Sequence, residues 1–433
     1  MPQRDDAADA LRRLLHQAVH GVTDLVEQAH DQVAGHVVRV ARAAGVGEQA
    51  EALDAVRKLV TKASLVGVRG VNAAVRVAGD TASDVLRERG TPSPVLGLAP
   101  LRGDPLQSPT IAVDAALGGL NGAIGDRLAL QGSPLDLGFG LRFGDAGGLG
   151  DVLLAPLGGG EEPDAALDAQ LAARVENLEA PVTLAIFVHG LCTTEWSFCL
   201  GAEENWGDKS MTFARRLHDE LGLLPLFARY NTGRPIGQNG EAFAAWLDRL
   251  DAALARHGHA ETRYVLIGHS MGGLVSRATL ALGMERGSAW AERIDGVATL
   301  GTPHHGAPLE KVVAALTRVL TPIPWPATTI PAALLGIRSA GIRDLARGEP
   351  TWRSPAQTRW LLVASTVTSD TDAATAVLGD GMVTVGSALA KDAEGLDAFD
   401  VTRRKVAGVA HATMANDAQI YAPLVAWLRE GMR

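Results

Sequence analysis

Apolar residues follow two different patterns along this chain, and the change comes near residue 181. Before it, Leu11, Leu15, Ala18, Val22, Leu25, Ala29 and Val33 recur at spacings of three and four. That spacing predicts a helix over 6–43 with one apolar face. Residues 48–63 and 68–89 read as helices too, and Gly90-Thr91-Pro92 closes an all-helical extension over 1–92. Such stripes ordinarily pack on one another or on a neighbouring domain. The other use is contact with a partner or a lipid surface. Residues 93–180 form a connecting region rich in Gly, Pro and Leu. One helix is predicted there over 112–130, from Val113, Leu117, Leu120, Ile124 and Leu128.

Beyond residue 181 the run Val182–Val188 lies between Pro181 and Gly190, as a strand buried on both faces does. Further strands are predicted over 226–230, 264–267, 297–300, 360–365 and 405–409. Helices fall over 239–257, from Gly272 onward and over 415–430. This alternation predicts an α/β domain over 181–433, with a mostly parallel sheet covered on both sides. Residues 304–356 interrupt it with Pro308, Pro322, Pro324, Pro326 and Pro331 set among apolar residues, and read as a cap or lid.

Composition narrows the function. The chain has 433 residues, and with 47% of them hydrophobic it can bury a sizeable core. That length fits one large domain plus an appendage. The net charge is −9 with basic and acidic residues interspersed, so there is no nucleic-acid footprint. The same balance argues against electrostatic attachment to anionic lipid. The two cysteines, Cys192 and Cys199, are expected as free thiols and supply no metal cluster. The N-terminus runs from Met1-Pro2-Gln3-Arg4 into a charged helix without a secretory pattern, and no uncharged run is long enough to span a bilayer. The expectation is a cytoplasmic protein.

The chemistry centres on Gly268-His269-Ser270-Met271-Gly272, which fits the G-x-S-x-G nucleophile elbow. A serine exposed on a tight strand-to-helix turn leaves no room for side chains two residues before or after it. A predicted strand precedes the motif and a helix-compatible stretch follows, as the turn requires. An attacked carbonyl develops negative charge on oxygen, and losing one donor to that charge costs about 3 kcal/mol of barrier. The N–H of Met271 is one candidate donor. The N–H of Leu191, after His189-Gly190 at the end of an early strand, is the other. The base and its carboxylate follow the serine in the order Ser, Asp, His. His411, after the last strand, is the candidate base; His304 and His305 come too early. Asp380 in Gly379-Asp380-Gly381 is the candidate acid, with Asp370, Asp372 and Asp392 as rivals. His189, Gly190, His269, Tyr230 and His304 are expected to border the substrate. For Tyr230-Asn231-Thr232-Gly233-Arg234 an ordinary turn is the competing reading. For Cys192 a packing role is favoured over a nucleophilic one.

Together, HGL at 189–191, GHSMGG at 268–273, LGTPHHGAP at 300–308, DGMV at 380–383 and His411 resemble the lipase and esterase branch of the α/β-hydrolases. The resemblance implies an α/β-hydrolase fold over 181–433, a Ser270-Asp380-His411 triad and an ester substrate, either a small molecule or a lipid. It also implies that Gly301-Thr302-Pro303-His304-His305-Gly306 borders the active site. Many secreted members place a calcium-binding aspartate just after the histidine; here no acid follows His411 until Asp417, so no metal or other cofactor is expected. The same triad would serve a thioesterase, an acyltransferase or an amidase. A different reading makes the helical extension the working part, binding lipid or a partner, with the hydrolase domain as scaffold.

Overall fold

The protein is described by a computed structural model covering residues 109–133, 136–143, 152–153, 178–307, 339–348, 353–367, 379–393 and 399–432. A few single positions lie between these segments. All belong to one compact unit formed by 98–323 and 338–433. The helical reading of 1–92 lies outside the described residues, as do 308–338 and 349–352 of the expected lid.

Among the described residues eight strands form one sheet: β1 (Phe139–Phe143), β2 (Val152–Leu153), β3 (Thr183–Val188), β4 (Leu224–Tyr230), β5 (Arg263–His269), β6 (Ile294–Leu300), β7 (Arg359–Thr366) and β8 (Asp400–Ala407). Their order is β2-β1-β4-β3-β5-β6-β7-β8. β1 runs antiparallel to both β2 and β4, and every other pairing is parallel. Strands β3 to β7 are buried almost throughout, which is why they read as apolar runs. β8 is one edge strand, half-buried to exposed and rich in polar residues; it begins five residues before the predicted 405.

The described helices of eight or more residues are α1 (Pro109–Leu130), α2 (Phe213–Leu221), α3 (Ile236–Arg256), α4 (Met271–Arg286), α5 (Ala340–Arg347) and α6 (Ala418–Gly431). Side chains of a strand alternate between its faces. One face of the sheet, with Phe187, Phe227, Ile267, Leu300 and Val363, packs on Phe213 and Leu217 of α2 and Leu424, Trp427 and Leu428 of α6. The alternating residues Leu184, Ile186, Leu266, Val297 and Leu362 are fully buried on the opposite face, where α4 packs. At about 25 cal/mol per Å², complete burial of each such side chain contributes roughly 1.5–3 kcal/mol.

Helix α1 was expected, but its docking surface was not. A Cβ on Gly118 would lie 2.9 Å from the Thr193 carbonyl carbon, one on Gly122 would lie 2.0 Å from Cys192 Sγ, and one on Gly125 would lie 1.8 Å from Asn231 Oδ1. A stripe of glycines therefore lets α1 press directly on the loops that follow β3 and β4. Ser339, which caps α5, donates to the Gly122 carbonyl at 2.7 Å, and Ala340 N–H donates to Asp126 at 2.9 Å. This described part of the insertion is thus docked on α1.

The chain leaves β3 for β4 on one side and returns to β5 on the other. Such a reversal opens a crevice at the carboxyl ends of the strands. The loops at those ends carry the chemistry.

Candidate active site

At the end of β5 the backbone turns abruptly. Ser270 has φ 53° and ψ −124°, and α4 begins at the next residue. A positive φ on a serine is a strained conformation that the surrounding structure must enforce. Ser270 N–H donates to the Leu300 carbonyl at 2.8 Å, tying the turn to β6. A Cβ on Gly268 would lie 2.5 Å from Gly273 N, and one on Gly272 would lie 2.0 Å from the Val188 carbonyl oxygen. Both neighbours are backbone and cannot move aside, so both positions require glycine.

Asp380 stands in a turn whose Gly379 has φ 58°. Its Oδ1 accepts from the N–H groups of Met382 (2.9 Å) and Val383 (2.8 Å). Its Oδ2 accepts from His411 Nδ1 at 2.7 Å. Burial alone would raise the carboxyl pKa, but the His411 ring and the two backbone donors outweigh it and hold the group below its usual range. His411 opens a short turn, His411–Asn416, after β8. Its own N–H donates to the Asp380 carbonyl at 3.1 Å. With the ring proton on Nδ1, Nε2 carries a lone pair; it is buried and has no hydrogen-bond partner, Ser270 Oγ included. Catalytic hydrogen bonds commonly close only when substrate is present.

His269 links the two halves of the site. Its Nε2–H donates to the His411 carbonyl at 2.9 Å, and the two rings lie 4.9 Å apart. Burial lowers its pKa to about 3, so the ring is neutral. Ser270, Asp380 and His411 are each less than a tenth exposed. Gly301, the first residue of the segment expected to border the active site, presses on the pair: a Cβ there would lie 3.0 Å from Asp380 Oδ2 and 3.1 Å from His411 Nδ1.

Asp392 is exposed in a turn, and Asp370 and Asp372 lie outside the described residues. His305 is exposed and bonds the Lys391 carbonyl. His304 was expected beside the substrate. Instead it is fully buried, with Nδ1 accepting from Arg277 and Nε2 donating to Thr299 Oγ1. Burial and the neighbouring Arg277 keep it neutral. His189 and Tyr230, also expected beside substrate, are buried and stacked on each other at 4.3 Å. Their polar atoms bond the protein's own backbone, so both serve the loop rather than a ligand. Gly190 does adjoin the nucleophile, since a Cβ on it would lie 3.0 Å from Ser270 Cβ.

Past the candidate oxyanion loop, Glu195 is fully buried between two arginines. Arg142 Nη1 donates to it at 2.8 Å, and Arg229 Nε donates to both oxygens at 2.8 and 2.9 Å. Burial would raise the Glu195 pKa, yet Arg229 and Arg142 pull it down to about 2. Cys192 and Cys199 are free and buried, and burial pushes the Cys192 thiol up to about 12, which makes it inert. Among the described residues no cluster of His, Cys, Asp or Glu could hold a metal, and no helix is long and apolar enough to cross a membrane.

A mostly parallel sheet, a strained serine between β5 and α4, and an Asp–His pair from the loops after β7 and β8 now stand together. This is the α/β-hydrolase fold. A PGAP1-like alpha/beta domain model matches residues 241–321, which include the elbow of this hydrolase fold. No curated protein matches the chain significantly. The mature lipase BlEst2 of Bacillus licheniformis is 18% identical, with 58% of this chain and 94% of that one covered and a TM-score of 0.37. The RedJ thioesterase of the prodiginine pathway in Streptomyces coelicolor is 21% identical over 58% and 91%, with a TM-score of 0.37. The phospholipase PlaB of Legionella pneumophila is 16% identical over 48% and 45%, with a TM-score of 0.33.

Proposed function

We propose that this α/β-hydrolase cleaves carboxylic esters by acyl transfer through Ser270. The observation that carries the reading is the pairing of His411 Nδ1 with Asp380 Oδ2 at 2.7 Å, which leaves Nε2 as a buried lone pair without a partner. His411 Nε2 takes the Ser270 proton as Oγ attacks the ester carbonyl carbon. Asp380 orients the ring and stabilises its cationic form. The N–H groups of Leu191 and Met271 receive the oxyanion. The intermediate collapses, the alcohol leaves with the proton from His411, and an acyl-enzyme remains. Water, deprotonated by the same nitrogen, then releases the acid.

A fluorophosphonate probe tests the nucleophile directly. Wild type is expected to label at Ser270. Ser270→Ala is expected to lose both labelling and hydrolysis of p-nitrophenyl esters, with its melting temperature within a few degrees of wild type. Hydrolysis that survives in Ser270→Ala refutes the assignment.

A further inference from the structure

The peptide between Gly190 and Leu191 is held by more than its place in the chain. His189 Nε2 accepts from Tyr230 N–H at 3.4 Å, which places the ring proton on Nδ1. That Nδ1–H donates to the Gly190 carbonyl at 3.0 Å. Thr193 Oγ1–H donates to the same carbonyl at 2.9 Å. The loop is fixed on either side as well. Tyr230 Oη–H donates to the His189 carbonyl at 2.7 Å, and Cys192 N–H donates to Thr232 Oγ1 at 3.1 Å. Burial lowers the His189 pKa to about 4, so the ring keeps this single-proton arrangement at neutral pH.

A trans peptide is planar, with its C=O and N–H pointing in opposite directions. Two donors gripping the Gly190 oxygen therefore also set the direction of the Leu191 N–H. The Gly190 Cα lies against the nucleophile, since a Cβ there would come within 3.0 Å of Ser270 Cβ. We infer that Thr193 and His189 are positioning residues that, by clamping the Gly190 carbonyl, aim the Leu191 N–H at the oxyanion formed on Ser270. The inference rests on the acyl-transfer reading above. It assigns work to a threonine hydroxyl that acts through the backbone it holds.

The test compares Thr193→Val, which keeps the shape and loses the O–H, with Thr193→Ser, which keeps the O–H. The full chain is assayed with p-nitrophenyl butyrate and with a trifluoromethyl ketone, which forms a tetrahedral adduct bearing an oxyanion. Thr193→Val is expected to lower kcat by about 10-fold with KM within about twofold, and to weaken ketone inhibition in proportion. Thr193→Ser is expected to restore both. Equal behaviour of the two variants, or a loss confined to KM, overturns the inference. If Thr193→Val does not fold, His189→Asn, whose amide keeps a donor, is compared with His189→Leu; equal rates there overturn it. Wild type that fails to label with fluorophosphonate counts against the acyl-transfer reading. Wild type that labels no faster than Thr193→Val overturns the positioning role alone.

Discussion

Asp380→Asn tests the site through one proton. In the native structure Oδ1 is engaged by two backbone N–H groups and Oδ2 by His411 Nδ1–H. An asparagine offers one oxygen and one NH2 group. Its oxygen must face Met382 and Val383, because two donors cannot face two more. The amide N–H then points at His411 Nδ1, and the ring keeps a hydrogen bond only by moving its proton to Nε2. That is the nitrogen that must accept the Ser270 proton, so the base is blocked while the turn stays intact. The expected loss is about 10⁴-fold in kcat, or about 5 kcal/mol of barrier at 1.36 kcal/mol per decade. Steady-state hydrolysis of p-nitrophenyl butyrate and the rate of fluorophosphonate labelling measure it, with thermal melting as the control. A folded Asp380→Asn enzyme within tenfold of wild type refutes the reasoning.

Other perturbations follow from the packing. Gly272→Ala drives a methyl to 2.0 Å from the Val188 carbonyl oxygen, and urea melts should register a loss of about 1–3 kcal/mol along with activity. Gly122→Ala places a methyl 2.0 Å from Cys192 Sγ, one residue from the Leu191 donor; kcat is expected to fall more than KM changes, as initial rates will show. Glu195→Gln removes the charge facing Arg142 and Arg229 and should cost about 3–5 kcal/mol by denaturant melting at pH 7. Because the folded Glu195 pKa is about 2 against an ordinary 4.5, its contribution is complete above about pH 4.5 and is lost as pH falls toward 2. Melts across that range should fall more steeply in wild type than in Glu195→Gln, and parallel curves would contradict the assignment.

The sequence by itself determined what local sterics and burial decide. Gly268 and Gly272 flank Ser270 because a tight turn excludes side chains there, and that constraint is legible in five residues. Strands β3 to β7 announced themselves because both of their faces are buried. β8 was misplaced by several residues because an edge strand carrying Arg403, Arg404 and Lys405 has no apolar pattern to read. β1, with the sequence FGLRF, went unseen because it is short and contains a glycine. In α1 the apolar spacing located the helix, yet the docking surface is Gly118, Gly122 and Gly125, and glycine leaves no hydrophobic signal. Only the tertiary structure decided which way His189, Tyr230 and His304 turn. A polar residue at the catalytic edge can face a ligand or the protein's own carbonyls. That choice depends on neighbours distant in the chain, such as Tyr230, 41 residues from the His189 it stacks on, and no local pattern encodes it.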